Sequence, residues 1–164
     1  MITFHKLPDG LGFFHPAVLI GSFFGSGLLR PASGTWGSAF GLIPALFLGF
    51  YYGPFGLLLA SGAVYLVGFA ACRVWLSKSD DQDPSPIVID EVAGLLLTLS
   101  CAPFTWSGIA LGFVLFRAFD IFKPFPISWA DKSIKGAHGV MLDDILAGGW
   151  AALVLLALQS YGWV

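Results

Sequence analysis

Five acidic residues stand at the borders of long uncharged stretches of the sequence. Asp90 and Glu91 open one apolar run, Asp120 closes the next, and Asp143 and Asp144 open the last. Negative charges gathered at the edge of a membrane repel one another and are costly unless cations neutralise them. Carboxylate oxygens are hard ligands that suit Mg²⁺ in an open, partly hydrated site. The sequence therefore predicts that all five residues are catalytic ligands of Mg²⁺.

Helix capping is the alternative explanation for these carboxylates, and it covers only part of the set. An aspartate at a helix N-terminus caps free amides and suits the helix dipole, which would explain Asp90 or Asp143 alone. Asp120 is expected at a helix C-terminus, where the dipole disfavours a negative charge. Glu91 and Asp144, as second carboxylates of their pairs, exceed what capping needs. Asp80, Asp81 and Asp83, in "SKSDDQDPSP", indicate only a solvated loop.

Two basic residues accompany the acidic set. Arg117 lies three residues before Asp120, and Lys123 lies three residues after it, so each is within reach of the same helix end. Arginine and lysine beside carboxylates and a metal are the groups that a bound phosphate requires. Arg117 and Lys123 are therefore candidate phosphate-binding residues, while ordinary salt bridges remain the alternative for both.

A glycine- and serine-rich stretch, "GSGLLRPASGTWGS" at 25–38, is a second candidate for binding phosphate. Its amides, hydroxyls and one arginine could hold an anion, and it runs into a helix whose N-terminus favours negative charge. An ordinary loop ending in a serine or threonine cap is the alternative. The candidate substrate-binding residues here are Arg30, Ser33, Gly34 and Thr35.

The composition indicates a single integral membrane domain over residues 1–164. Hydrophobic residues make up 57 % of the chain, charged residues make up 11 %, and the mean hydropathy is +0.82. Soluble domains carry about a quarter charged residues, so this chain has too little polar surface to cover a soluble globule. The net charge of −2 gives no indication of a nucleic-acid partner.

The uncharged stretches predict the helices. Residues 31–72, 92–116 and 145–164 contain no charge, and the first two are interrupted by the turn signals "YYGPFG" and "CAPFTWSG". The predicted fold class is all-α: a polytopic membrane bundle of about five apolar helices, plus an N-terminal interfacial or re-entrant segment at 17–29. The helices are expected at about 36–52, 55–76, 89–102, 108–122 and 144–162.

This arrangement predicts one charged face. Every charged segment is separated from the next by an even number of crossings, so all of them lie on the same side of the membrane. Because short loops with lysine and arginine face the cytoplasm, this side is predicted to be the cytoplasmic one. A single long helix from Glu91 to Phe116 is the competing topology, and it would place Glu91 and Asp120 on opposite sides of the membrane. Small residues every fourth position, such as Gly37 and Gly41, indicate close helix packing within the chain, and a homo-oligomer is left open.

The motifs "IVIDEVAG", "FRAFDIFKPFPI" and "HGVMLDDILAG", preceded by "SGTWGS", resemble the phosphatidylglycerophosphatase A family. The resemblance covers about 25–149 in the right order. It implies a small integral membrane enzyme of bacteria. The charged face predicted above would then put its active site at the cytoplasmic side of the inner membrane, among membrane lipids. The resemblance also implies Mg²⁺-dependent hydrolysis of phosphatidylglycerophosphate to phosphatidylglycerol and phosphate. The family usually has proline where this chain has Ser33.

A divalent-cation or proton-coupled transporter is the alternative function, because carboxylates within membranes serve transport as well. Transport sites lie near the bilayer midplane, in broken helices of repeated halves. The carboxylates here border the apolar stretches, and the sequence shows no internal repeat. The sequence therefore favours the phosphatase.

Overall fold

The structure is a computed structural model that describes residues 3–8 and 10–163. The described chain is mostly helical, and a pair of two-residue strands joins the N-terminal arm to the start of the main helices. The elements are β1 (Thr3–Phe4), α1 (Pro16–Gly21), a 3₁₀ turn (Ser26–Leu28), β2 (Leu29–Arg30), α2 (Ser33–Leu76), α3 (Ile89–Leu99), α4 (Trp106–Phe122), α5 (Ile127–Ser133) and α6 (Gly136–Ser160).

Helix α2 is two helical limbs joined at Gly53. This residue has φ 63° and ψ −164°, a conformation that glycine adopts without steric cost. Pro54 follows at once and is suited to the start of a helix, where a proline loses no hydrogen bond. The predicted helices at 36–52 and 55–76 are therefore confirmed as the first limb (33–52) and the second limb (54–76), with the break where the Gly-Pro signal indicated it.

The two limbs run in opposite directions. Residues at the beginning of the first limb contact the start of α3, and residues near its end contact the turn after α3. On the second limb the order is reversed, so that its later residues contact the start of α3. The contacting pairs are Gly34 with Glu91 and Gly49 with Phe104 on the first limb, and Ser61 with Ala93 and Gly68 with Ile89 on the second. The chain thus reverses at Gly53, and both outer ends of α2 lie beside the start of α3.

Helices α3 and α4 also form a hairpin. Helix α3 ends at Leu99, and α4 begins after Thr105, whose side chain caps it by accepting a hydrogen bond from the Gly108 amide at 3.1 Å. Arg117, near the end of α4, contacts Glu91, near the start of α3, so the helices are antiparallel. The prediction of two short helices at 89–102 and 108–122 is confirmed, and the competing single helix is wrong.

Helix α6 begins at Gly136, eight residues before the predicted start at 144. Asp143 and Asp144 therefore lie in the second turn of the helix or just beyond it, and the prediction that they begin it is wrong. The prediction took the helix to start where the charges stop. Ala137, Val140 and Met141 are buried at helical spacing and extend the core-facing side of α6 toward its N-terminus.

Helix α5 was not predicted, because prolines and charges made the stretch after Asp120 look like a loop. Pro126 stands directly before its first residue, where proline is tolerated. Ile127 and Ala130 are fully buried three positions apart, and this anchors the short helix against α6. The helix matters for the site because it carries Asp131.

The N-terminal segment at 17–29 forms a short helix and a tight turn. Helix α1 has six residues, about 9 Å at 1.5 Å per residue, against a bilayer core of about 30 Å. It is too short to cross a membrane. Val18 is fully buried, and Gly21 packs against the Trp75 ring of the second limb. Whether this segment is interfacial or re-entrant stays a prediction.

Small residues bring the helices close together. Gly37, Gly41 and Gly49 face α3 or the residues on either side of it, and Ala45, at the same spacing, is also buried. Gly94 of α3 meets the α6 backbone so closely that a Cβ on it would collide with the Asp144 carbonyl, as one on Gly148 would with the Gly94 carbonyl. These small faces pack within the chain, as the sequence indicated, and they make α3 the central helix.

Among the described residues, two helices are long and apolar enough to cross a bilayer: Ser33–Leu76 and Gly136–Ser160. Many large apolar side chains are exposed, among them Phe50, Tyr51 and Leu153. Such a surface indicates contact with lipid or another apolar partner. The polytopic bundle of five crossing helices stays a prediction.

Candidate active site

The fold brings the three carboxylate motifs to one end of the helices. Asp90 and Glu91 occupy the first turn of α3, and Asp120 occupies the last turn of α4. The Asp144 carboxylate, on α6, interacts electrostatically with the other four members of the predicted set, Asp120, Asp90, Asp143 and Glu91. Residues up to 54 positions apart in the sequence thus form one acidic cluster, which we call the carboxylate cluster.

Arg117 holds one side of the cluster together. Its Nη1 atom lies 2.6 Å from Asp120 Oδ2 and 3.3 Å from Glu91 Oε1, and it donates to Ser38 Oγ at 3.3 Å. The three charged side chains are only 13–14 % exposed, so solvent screens their attraction weakly. Ser38 is fully buried and also donates to the Gly34 carbonyl at 2.9 Å. The arginine thereby links α4 to both α3 and α2.

Two glycines of α2 make room for Glu91. A Cβ on Gly34 would collide with Glu91 Oε1, and a Cβ on Gly37 would lie 2.6 Å from Glu91 Oε2. Glu91 Oε2 and Arg117 Nε are buried and have no hydrogen-bond partner among the described residues. Buried polar atoms without partners are rare in folded proteins, so these two atoms mark a place where a ligand or water is expected.

Lys123 holds the other side of the cluster. Its Nζ atom lies 2.6 Å from Asp131 Oδ1 and 2.6 Å from Asp143 Oδ2. Burial lowers the pKa of Lys123, but hydrogen bonds and the charges of Asp131 and Asp143 outweigh burial and raise the pKa above its usual value. The ammonium group therefore stays charged. Lys123 caps α4 in the left-handed conformation, with φ 43°, and this turns the chain toward α5.

Asp131 was missed by the sequence analysis, and so was Ser38. Asp131 contacts Lys123 only because α5 folds back against α6, and α5 was not predicted. Ser38 reaches Arg117 across 79 residues of sequence. Since Ser38 belongs to the "SGTWGS" motif, the motif itself was a signal that the stretch lies near the site.

Asp90, Asp143 and Asp144 form the buried centre of the cluster, with exposed fractions of 8 %, 8 % and 3 %. Asp90 accepts a hydrogen bond from the Glu91 amide at 2.9 Å, and Asp143 accepts one from the Asp144 amide at 3.0 Å. Among described side chains, no lysine or arginine forms a salt bridge with Asp90 or Asp144. These two carboxylates are therefore the ones most in need of a cation.

The described residues contain no group of three or more histidine, cysteine or acidic side chains arranged closely enough to hold a metal ion. Arg117 and Lys123 lie between carboxylates and balance part of their charge. The donor atoms available are nonetheless all carboxylate oxygens, which is the chemistry that Mg²⁺ prefers. The metal roles of Asp90, Glu91, Asp120, Asp143 and Asp144 stay predictions.

The N-terminus of α2 lies against the cluster. Its cap residue, Ala32, is left-handed and provides no side-chain cap for the first amides of the helix. Gly34 contacts both Glu91 and Arg117, whereas Ser33 is half-buried and Thr35 is exposed. Uncapped amides at a helix N-terminus favour an anion.

Arg30 lies apart from the carboxylate cluster. It lines a separate cavity of about 420 Å³ with residues of the N-terminal arm and of the loop after α2, among them His5 and Lys78. The pKa of His5 is lowered mainly by burial and to a smaller extent by the positive charge of Arg30. The structure therefore does not bring Arg30 together with the other predicted site residues.

A small cavity of about 40 Å³ adjoins the Lys123 side of the cluster. It has room for about three water molecules at roughly 10–15 Å³ each. Asp83 lines it together with Asp131, Asp143 and Lys135. The loop that carries Asp83 is exposed, as predicted, but it also closes over this edge of the cluster.

A sequence profile described as phosphatidylglycerophosphatase A matches residues 19–159, a range that contains every predicted site residue. The chain belongs to the phosphatidylglycerophosphatase A family. The resemblance noted from the three carboxylate motifs is thereby confirmed. Family membership and the two long apolar helices together indicate a membrane-associated protein.

Three curated relatives cover most of the chain. A phosphatidylglycerophosphatase A of Haemophilus influenzae is 37 % identical over 152 residues, which cover 92 % of this chain and 93 % of the relative. A phosphatidylglycerophosphatase A of Escherichia coli is 35 % identical over 144 residues, covering 86 % and 82 %. A Bacteroides thetaiotaomicron protein named as a candidate phosphatidylinositol-3-phosphatase is 37 % identical over 152 residues, covering 88 % and 93 %. No solved structure matches the chain.

Proposed function

We propose that the chain is a phosphatidylglycerophosphatase, a phosphoric monoester hydrolase that removes the terminal phosphate of phosphatidylglycerophosphate and leaves phosphatidylglycerol. The family match and the names of two relatives support this function. The structural observation that carries it is the Arg117 contact, which joins Glu91 and Asp120 beside the uncapped N-terminus of α2. Carboxylates, a fixed guanidinium and free amides are together suited to a phosphomonoester.

The phosphate is proposed to lie between the N-terminus of α2 and the two basic residues. The amides of Ser33, Gly34 and Thr35 have no side-chain cap and would donate to phosphate oxygens. The unpaired Nε of Arg117 would donate to the same anion. Lys123 adds a permanent positive charge on the other side of the cluster. Arg30 would act at most on a more distant part of the substrate.

Mg²⁺ is proposed as the cofactor, held by the carboxylates of Asp90, Glu91, Asp120, Asp143 and Asp144. The fit rests on the chemistry of the donor set and on Asp90 and Asp144, which form no salt bridge among the described side chains. When bound, Mg²⁺ supplies Lewis-acid neutralisation of phosphoryl oxygens and lowers the pKa of water.

The residues of the chain would contribute charge and position to the reaction. Phosphoryl transfer builds charge on the peripheral oxygens, and pre-oriented cations stabilise it. Arg117 is fixed by three partners, so its guanidinium would need little reorganisation as the reaction proceeds. Ser38 and Glu91 keep it in place, and Asp131 does the same for Lys123.

The membrane arrangement is proposed to follow from the single charged end. With the limbs of α2, the α3–α4 hairpin and α6 as crossings, the cluster would lie at the cytoplasmic face of a bacterial inner membrane, by the positive-inside rule. A lipid could then keep its acyl chains in the bilayer and present its phosphate to the carboxylates. The substrate phospholipid and the surrounding membrane lipids would be the partners.

The test of the function is substrate choice by the purified protein in detergent. Phosphate release would be measured from phosphatidylglycerophosphate, phosphatidic acid and phosphatidylinositol 3-phosphate at equal mole fractions. The proposal expects fastest release from phosphatidylglycerophosphate. Preference for the inositol lipid would favour the activity named for the Bacteroides relative, and no release from any lipid by folded protein would contradict a phosphatase.

A further inference from the structure

An apolar groove lies between the N-terminal segment and the second limb of α2. It has a volume of about 260 Å³, and every residue that lines it is apolar. Buried Ile89 forms its floor, and its walls include Phe23 and Phe24 on one side and Ala63, Val64 and Val67 on the other. An apolar cavity of about 150 Å³ is enough to hold benzene, so this groove can take a longer piece of hydrocarbon.

The groove reaches the end of α3 that carries Asp90 and Glu91. Its floor residue, Ile89, directly precedes Asp90. On the second limb, Gly68 packs against Ile89, which puts Gly68 at the level of the start of α3. Val67 and Ala63 lie one and five residues before Gly68, which is about 1.5 Å and about 7.5 Å along the helix axis at 1.5 Å per residue. The groove therefore starts beside the first turn of α3, which carries Asp90 and Glu91, and runs away from that turn along the second limb.

One wall of the groove is held in an uncommon conformation. Phe23 and Phe24 have φ of 44° and 56°, in the left-handed region that bulky residues rarely occupy. Ser22 fixes the turn, since its buried hydroxyl donates to the Val18 carbonyl at 2.6 Å and accepts from the Gly25 amide at 3.1 Å. Conformations of this kind persist only where surrounding contacts enforce them, and they concentrate at functional sites.

We propose that this groove binds one acyl chain of the phospholipid substrate and so positions its phosphate at the carboxylate cluster. The inference rests on the proposed function, and it adds a binding site for the lipid tail. Its occupant follows from three observations: the apolar lining, the position of Ile89 directly before Asp90, and the direction of the groove, which runs from the first turn of α3 along the second limb. The chain-binding wall would be the Phe23–Phe24 turn.

The test compares diacyl phosphatidylglycerophosphate in mixed micelles with its deacylated, water-soluble headgroup. Ala63→Trp fills the groove, and Ala110→Trp makes the same change at an exposed position of α4 that lines no described cavity. Leu66→Trp fills a different apolar groove, of about 480 Å³, between the second limb and α6. The quantity measured is the ratio of kcat/KM for the diacyl substrate to kcat/KM for the headgroup.

The proposal expects Ala63→Trp to lower this ratio about tenfold, through KM for the diacyl lipid, because burial of about two methylenes is lost. Ala110→Trp should leave the ratio within about twofold of wild type. An unchanged ratio in Ala63→Trp, or a fall confined to Leu66→Trp, would contradict acyl-chain binding in this groove and leave the proposed phosphatase activity unaffected. Failure of wild type to hydrolyse the diacyl lipid would overturn the proposed function itself. If Ala63→Trp does not fold, Val67→Trp fills the same groove from a second position.

Discussion

Arg117 of α4 lies 3.3 Å from Glu91 of α3, and this contact ties together two helices whose charged ends the sequence places 26 residues apart. The same guanidinium nitrogen contacts Asp120 at 2.6 Å and Ser38 at 3.3 Å. One side chain thus sets the relative position of three helices and one face of the carboxylate cluster. Its replacement should disturb both stability and chemistry.

Replacement of Arg117 by methionine should destabilise the protein by about 3 kcal/mol, since Glu91 and Asp120 would keep their buried charges without a partner. Arg117→Lys should recover part of this stability but little activity, because one ammonium cannot reproduce the planar, multi-donor contact. Thermal unfolding in detergent and phosphate release would be measured on the same preparations. Full activity of the lysine variant would contradict the proposed role of the guanidinium.

Gly34→Ala should lower kcat/KM at least about tenfold and cost about 1–3 kcal/mol, because the new methyl group would collide with Glu91 Oε1. Gly149→Ala is the matched control, since a Cβ there meets open space and alanine favours a helix. Wild-type kinetics in Gly34→Ala would show that Glu91 does not need the space that the glycine leaves.

Asp131→Asn should weaken activity less than Asp143→Asn, although both residues contact Lys123 at the same distance of 2.6 Å. Asp143 belongs to the proposed metal ligands and Asp131 only positions Lys123. We expect a loss of about 100-fold for Asp143→Asn and about tenfold or less for Asp131→Asn, by analogy with loss of one electrostatic group from an active site. A larger loss in Asp131→Asn would reverse these two assignments.

The sequence could predict the helices and the gathering of the carboxylates, because both depend on where charges are absent and where Gly-Pro and Pro-rich turns fall. The break at Gly53 and the turn before Thr105 were visible in this way. The start of α6 was not, since the buried spacing of Ala137 and Val140 lies within a stretch that still carries charge. Ser38 and Asp131 could not be assigned either, because their roles depend on contacts made only in the folded chain.

Membrane topology can be tested by labelling single cysteines with a thiol reagent that does not cross membranes. We expect a cysteine at Ser79 to be protected in intact cells and a cysteine at Ser107 to be labelled, since the two positions lie at opposite ends of the helices. Native Cys101 would first be replaced by serine, while Cys72 is fully buried. Labelling of both new cysteines from outside the cell, or of the cysteine at position 79 alone, would contradict a carboxylate cluster at the cytoplasmic face.

The central claim is that the carboxylate cluster hydrolyses a lipid phosphomonoester with Mg²⁺. The most direct measurement is phosphate release from phosphatidylglycerophosphate as Mg²⁺ is titrated into EDTA-treated protein, for wild type, Asp144→Asn and the exposed-loop control Asp81→Asn. We expect Mg²⁺ to restore release in wild type and in Asp81→Asn, and Asp144→Asn to lose about 100-fold at every Mg²⁺ concentration. Full release in EDTA, or wild-type release by Asp144→Asn, would contradict the claim.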